Sequence, residues 1–274
     1  MKKYFPSVII FALFEIIAVT LWLTKNNLFY LLNFTYIGSC ISLGLFLFLK
    51  GKRYARRCVQ FAVGCYMLIY LGIICQENMQ IEGFWYYLFL GVFESATIHY
   101  AIAKIFGCAL FGRGWCGYAC WTAMILDTLP FKQPQKPRKK KLGAIRYALF
   151  ALSLILVSAL FLFKVANLEK IMLIMFIVGN ILYYAVGILL AFLFKDNRAF
   201  CKYICPITVF LKPLSYYSVL RIHCDESKCV NCGKCLKVCP MNVEVNKESR
   251  KRENATECIL CYECTKECPV KALH

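Results

Sequence analysis

Cys229-Val-Asn-Cys232-Gly-Lys-Cys235-Leu-Lys-Val-Cys239-Pro240 recurs further along the chain as Cys258-Ile-Leu-Cys261-Tyr-Glu-Cys264-Thr-Lys-Glu-Cys268-Pro269. Both copies read C-x2-C-x2-C-x3-C-P, a spacing that ligates [4Fe–4S] clusters. Three closely spaced thiolates wrap one iron–sulfur cube and leave its fourth iron open. The fourth cysteine of each run lies too far along to close that cube and reaches the other one. The expected ligand sets are therefore Cys229, Cys232, Cys235 and Cys268 for one cluster, and Cys258, Cys261, Cys264 and Cys239 for the second. Pro240 and Pro269 turn the chain away and offer no N–H where backbone crowds the cube. Zinc in C-x2-C pairs is the competing reading, but a zinc ribbon does not need two runs of four thiols, each closed by proline. Cys224, a ninth cysteine beside His223, reads as a small buried side chain.

The repeat lies in a polar, charged segment, 215–274, which reads as a small C-terminal domain. So short a segment builds only a weak core, and metal clusters can staple it. The preceding 1–214 is of another kind. Over all 274 residues the chain is 60% apolar and 18% charged, against about 45–50% and about 25% in soluble domains. Mean hydropathy is +0.59. These values exclude an ordinary soluble enzyme. The 18 cysteines do not suit a secreted disulfide scaffold, which would be short and polar. Tight spacing of this kind suits metal clusters in a reducing compartment.

Six apolar segments, roughly 5–24, 28–49, 58–75, 84–111, 143–163 and 171–194, approach the length of a membrane span. The first follows Met-Lys-Lys like a signal peptide, but it is too long and lacks a small-residue cleavage site, so a retained helix is expected. The fourth is long enough to tilt or to end in a re-entrant turn. The expectation is an all-α polytopic bundle of about six transmembrane helices carrying a small α+β domain. The net charge of +18 would suggest nucleic acid in a soluble protein. Here the basic residues crowd loops 50–57 and 131–142, which carry no acid, so they set orientation and no nucleic-acid partner is expected. The positive-inside rule places both termini and the C-terminal domain in the cytoplasm, in the cell membrane.

Two further pairs stand at that same face: Gly112-Arg-Gly-Trp-Cys116-Gly-Tyr-Ala-Cys120 and Cys201-Lys-Tyr-Ile-Cys205-Pro206. Cysteines four apart share a helical face. The four thiols suit a third cluster, another metal or redox thiols; unligated cysteines at helix ends are the plainer alternative.

These pairs, followed by the two cysteine runs, resemble the membrane-bound polyferredoxins of the NapH, NosR and CcoG type over about residues 84–274. The resemblance implies a bacterial-type 2[4Fe–4S] ferredoxin domain and electron transfer between a quinone pool and a separate redox partner protein. In one branch it implies copper reduction during oxidase maturation, which is the alternative function. The first pair is followed by Trp121 where the family often has proline. The chain carries no NosR-type flavin-binding domain, no CcoG-type extension after His274 and no CxxCH haem motif. The short NapH-like quinol dehydrogenase form is the nearest match.

Three ionisable residues fall within apolar segments, Glu15, Glu94 and His99. Such groups are costly in lipid and are functional candidates by default. Quinol oxidation releases two protons with two electrons. Glu94 and His99 are the candidate proton acceptors beside a quinone, with interhelical hydrogen bonding as the alternative role. Lys104 is expected to snorkel to the surface, and Cys40, Cys58, Cys65, Cys75 and Cys108 to pack within spans.

Overall fold

The computed structural model describes residues 4–93 and 95–274. Five helices are long and apolar enough to cross a membrane: Phe5–Lys25, Leu28–Leu49, Ala55–Ile74, Lys140–Leu162 and Leu168–Phe194. The first, α1 (Phe5–Lys25), starts with proline in its first turn and ends at Asn26, whose φ of +48° stops the helix. Asn27 then caps α2 (Leu28–Leu49), its side chain accepting from Phe29 N at 2.9 Å. The two helices run back antiparallel. Gly38 abuts Phe14, and Ser42 Oγ donates to Ser7 O at 2.7 Å. Lipid offers no hydrophobic drive between helices, so small residues and interhelical hydrogen bonds hold such pairs. Next, α3 (Ala55–Cys65) continues as a π-helical stretch, Tyr66–Ile74.

The fourth apolar segment is not one helix. It splits into α4 (Ile81–Phe89) and a second arm that runs from α5 (Ser95–His99) through the π-helical Tyr100–Phe106 into α6 (Gly107–Phe111). Gly91, at φ +70°, lies between the arms. Phe84 stacks on Tyr100 with ring centroids 4.8 Å apart, so the arms fold back on each other as a hairpin. Ahead of α4, residues 75–80 run non-helically into the bundle. Asn78 Nδ2 donates to Met172 O at 3.0 Å and Gln80 abuts Gly179, near the middle of Leu168–Phe194. Irregular backbone at membrane depth is tolerated where protein covers it, and Asn78, Met79 and Gln80 are all buried. Five full-length helices and a broken fourth segment thus replace six unbroken spans among the described residues. Hydropathy could not distinguish them, because both hairpin arms are apolar. Glu94 lies outside the described residues.

Short helices follow at one end of the bundle: α7 (Gly114–Tyr118) and α8 (Trp121–Leu126), then, after the long α9 (Ile145–Leu162) and α10 (Leu168–Phe194), α11 (Ala199–Tyr203) and α12 (Thr208–Tyr216). The C-terminal segment caps that end. Tyr262 packs on Phe48 at the end of α2 with centroids 5.1 Å apart, and Tyr118 Oη donates to Leu260 O at 2.9 Å. Gly117 is required there, since a Cβ would meet Ile259 O at 2.4 Å. The expected α+β character of this segment is reduced to α13 (Lys234–Val238), α14 (Glu263–Lys266) and one antiparallel bridge, Cys224 with Leu273. No longer strand forms among the described residues; tight turns around the cysteines use up the chain.

Candidate metal centre

The two cysteine runs adopt one backbone course twice. The second residue after the first cysteine is left-handed in both, Asn231 at φ +50° and Leu260 at +50°. So is the fourth, Gly233 at +71° and Tyr262 at +58°, immediately ahead of α13 and α14. The third residue past the last cysteine repeats the pattern, Asn242 at +54° and Lys271 at +50°. Leucine, tyrosine and lysine adopt this conformation at a cost, and such strain concentrates at functional sites. Amide–sulfur hydrogen bonds repeat as well: Val243 N donates to Cys239 Sγ and Ala272 N to Cys268 Sγ, both at 3.3 Å.

Cys229, Cys232, Cys235 and Cys268 rim one small pocket. Cys239, Cys258, Cys261 and Cys264 rim another. The last cysteine of each run therefore faces the other run's three. Among the described residues no three His, Cys, Asp or Glu side chains converge as ligands of a single metal ion would. Thiols spread around a cavity suit a multi-iron cube better than zinc, which draws its ligands to about 2.3 Å. Cys224 is buried against this core and its backbone makes the bridge to Leu273.

The paired cysteines meet at the junction of bundle and tail. Cys116 lies on α7, Cys120 caps α8, Cys201 lies on α11 and Cys205 follows it. Cys205 is within electrostatic reach of Cys201, Cys116 and Cys120. Cations surround them. Arg198 Nη1 lies 3.9 Å from Cys201 Sγ and donates to Cys116 O at 3.0 Å, and Arg113 Nη2 donates to Cys201 O at 3.4 Å. Burial pushes the Cys116 thiol up, but Arg113, Lys104 and Arg198 outweigh it and hold Cys116 below the ordinary thiol value. Lys104 does not snorkel: it is 3% exposed, and its Nζ sits 5.4 Å from the Trp115 ring. Trp121 turns its indole inward, donating to Asn180 Oδ1 at 2.7 Å.

Three buried carboxylates, Asp127, Asp196 and Glu257, organise this layer, and none was read from the sequence; Asp196 accepts from Lys202 Nζ at 2.7 Å and Arg198 N at 2.9 Å. Asp127, just past α8, accepts from Arg198 at 2.6 and 2.5 Å and from Arg56 at 3.0 Å. Burial pushes its carboxyl up, yet Arg198 and Arg56 pull it down to about 2. An acid held below its unfolded value of about 3.9 stabilises the fold above that pH and loses this contribution as pH falls toward 2. Acid titration of unfolding should therefore show a slope below pH 4 that Asp127→Asn flattens; an unchanged slope would refute it. Glu257, immediately before Cys258, accepts from Arg138 at 2.9 Å and Arg146 at 3.0 Å, and from Arg113. Buried cations outnumber buried acids around the junction, and buried charges require partners. Of the four thiols among these cations only Cys116 is held down; burial pushes Cys120, Cys201 and Cys205 up.

Within the bundle, a cavity of about 270 Å³ opens between α1, α2, the Tyr66–Ile74 stretch and the second hairpin arm. Apolar side chains dominate its wall, with Asn33, Glu77, His99 and Trp115 as polar points. Among the described residues His99 Nε2 and Trp115 Nε1 are buried without hydrogen-bond partners, and the two rings lie 5.2 Å apart. Glu15 is elsewhere, accepting from Thr35 Oγ1 at 3.1 Å. Cys108 donates to Gly112 O at 2.9 Å, while Cys58 and Cys75 are exposed.

Two family models match these same regions. A 4Fe-4S dicluster domain covers residues 228–273, and a 4Fe-4S binding domain covers 101–143 and 179–222, the stretches that carry the paired cysteines. Both matches are to ferredoxin-type iron–sulfur domains, and the chain is similar at low identity to membrane polyferredoxin-like proteins. An uncharacterized protein of Methanocaldococcus jannaschii is 26% identical over 181 residues, 64% of this chain and 71% of its own length. The methylamine utilization ferredoxin-type protein MauN of Methylobacillus flagellatus is 29% identical over 140 residues, 47% of this chain and 48% of MauN. YccM of Escherichia coli, named as an electron-transport candidate, is 35% identical over 51 residues, 19% of this chain and 14% of its length. The chain thus spans about half of MauN and less of YccM. No solved structure matches.

Proposed function

We propose that this membrane iron–sulfur protein passes electrons between a quinone seated beside His99 and a separate redox partner at the tail. The carrying observation is the apolar cavity, with its two unpartnered buried nitrogens next to the Cys116 motif. [4Fe–4S] clusters, held by Cys229, Cys232, Cys235 and Cys268 and by Cys258, Cys261, Cys264 and Cys239, would supply single-electron transfer. Cys116, Cys120, Cys201 and Cys205 are assigned a third cluster, since the cationic setting suits an anionic centre and a 4Fe-4S family model covers both pairs.

In the cavity, Trp115 Nε1 donates a hydrogen bond to a quinone oxygen. Neutral His99 accepts the proton that leaves a quinol hydroxyl, acting as a general base. The apolar wall holds the ring and excludes water. Residues 1–214 serve as the membrane part and 215–274 as the cluster domain. The tail, the start of α1 and the basic loops share one face, which the positive-inside rule puts in the cytoplasm.

The test is anaerobic reconstitution with quinols. His99→Leu should slow quinol-dependent cluster reduction by about 10²-fold or more, the usual worth of a general base, and leave dithionite reduction unchanged. Wild-type clusters untouched by both quinols and quinones would sink the reading. Stoichiometric copper binding lost on Cys116→Ala would favour the metal-reductase alternative instead.

A further inference from the structure

A shallow open cleft lies at the junction of tail and bundle, with Cys258 of the second cysteine run on one side of it. Its wall includes three hydroxyls, Ser215, Ser218 and Ser249, and three guanidiniums, Arg221, Arg250 and Arg252. We propose that it binds the phosphate of an anionic phospholipid headgroup.

The charge is unbalanced. Arg250 Nη1 donates only to backbone, Tyr216 O at 2.6 Å and Ser218 O at 3.1 Å. Arg252 is buried, with its terminal nitrogens on Lys247 O at 2.8 Å and Ile222 O at 2.7 Å. Its Nε is buried and has no hydrogen-bond partner among the described residues. Among the described residues neither arginine makes an ion pair. Arg221 meets Glu248 at 2.7 Å, but that carboxylate also accepts from Cys224 N at 2.6 Å and faces His223 at 3.0 Å. Glu244 and the Cys258 thiol are within electrostatic reach of Arg252, so two acids face three guanidiniums and the cleft keeps a net positive charge. Guanidinium forks with hydroxyls match phosphate geometry.

The position selects the source of the phosphate. Val219 N donates to Ala109 O at 3.1 Å and Leu220 N to Leu110 O at 2.7 Å, so 217–220 runs along the last turn of the hairpin arm. Tyr217, Val219 and Leu220 are 72, 67 and 54% exposed. Apolar side chains offered to the bilayer beside arginines at headgroup level make an interfacial lipid site. Gly112, at φ +55°, lines the cleft from the end of that arm.

The full chain in neutral detergent is titrated separately with phosphatidylglycerol, phosphatidylcholine and inorganic phosphate, and binding is read by native mass spectrometry and thermal shift. Phosphatidylglycerol should bind at one saturable site, at least tenfold more tightly than phosphatidylcholine. The double variant Arg221→Gln/Arg250→Gln should weaken it at least tenfold, whereas Lys132→Gln/Lys136→Gln should not. Phosphatidylglycerol binding unaffected by the arginine pair, or equally lost with the lysine pair, overturns the site. Inorganic phosphate that saturates the cleft as tightly as the lipid overturns the lipid source and leaves a soluble phosphate as occupant. If the double variant does not fold, Arg250→Lys decides, because it keeps the charge and loses the fork; unchanged affinity then overturns the proposal.

Discussion

Replacing Glu257 with glutamine should cost about 3–5 kcal/mol of stability, the usual penalty for removing one partner from a buried ionic network. Glu257 is 1% exposed and takes Arg113, Arg138 and Arg146 on its two oxygens, with Lys212 Nζ at 3.9 Å. Glutamine would leave three guanidiniums in the interior with no anion. The same guanidiniums bind the backbone of the second cysteine pair: Arg113 the carbonyl of Cys201, Arg138 and Arg146 that of Lys202. The carboxylate therefore ties together the strand of chain entering Cys258, the turn entering Cys116 and the helix carrying Cys201. Lys140–Glu253 is the internal contrast. At 81% and 53% exposed, it should contribute no more than about 1 kcal/mol. Thermal and denaturant unfolding of Glu257→Gln and Lys140→Gln, with proteolytic release of the tail as a second readout, separates the two. A Glu257→Gln chain as stable as wild type would show that the arginines find other partners.

The difference between these two ion pairs also explains how much the sequence reveals. Ligand spacing is local, so the cysteine runs and the membrane-face pairs stand out at once. Long apolar helices are equally plain, because twenty apolar residues leave few alternatives in lipid. The broken fourth segment is hidden, since a hairpin and a span share one hydropathy profile and only Gly91 marks the bend. The left-handed Leu260, Tyr262 and Lys271 are hidden because these residues rarely adopt that backbone. Glu257 and Asp127 are hidden because their partners come from distant parts of the chain: Arg113 and Glu257 are 144 residues apart. Lys104 misleads because a lysine near the end of an apolar run normally snorkels. Here Trp115 and Cys116 give it an interior setting that no local pattern announces. The apolar cavity depends on how α1, α2 and the hairpin arm splay apart, and a one-dimensional pattern does not record that.

Cys239→Ala should remove the cluster of the other run, not of its own. By sequence Cys239 closes the first run, yet it shares a cavity with Cys258, Cys261 and Cys264, while Cys268 faces Cys229, Cys232 and Cys235. Losing one ligand of a four-thiolate cube should lower bound iron by about four atoms per chain, one cube's content. Combination variants make the crossing decisive. Cys239→Ala added to Cys261→Ala should cost no further iron, because both act on one cluster. Added to Cys232→Ala it should cost about four atoms more, because the two residues serve different clusters. Anaerobic iron and sulfide analysis measures the number, and EPR of the reduced chain shows which signal survives. If Cys239→Ala and Cys232→Ala together remove only one cluster's iron, each run binds its own cube. The amide–sulfur bond from Val243 to Cys239 would then belong to the first cluster, and the two cavities would have to be read as packing defects.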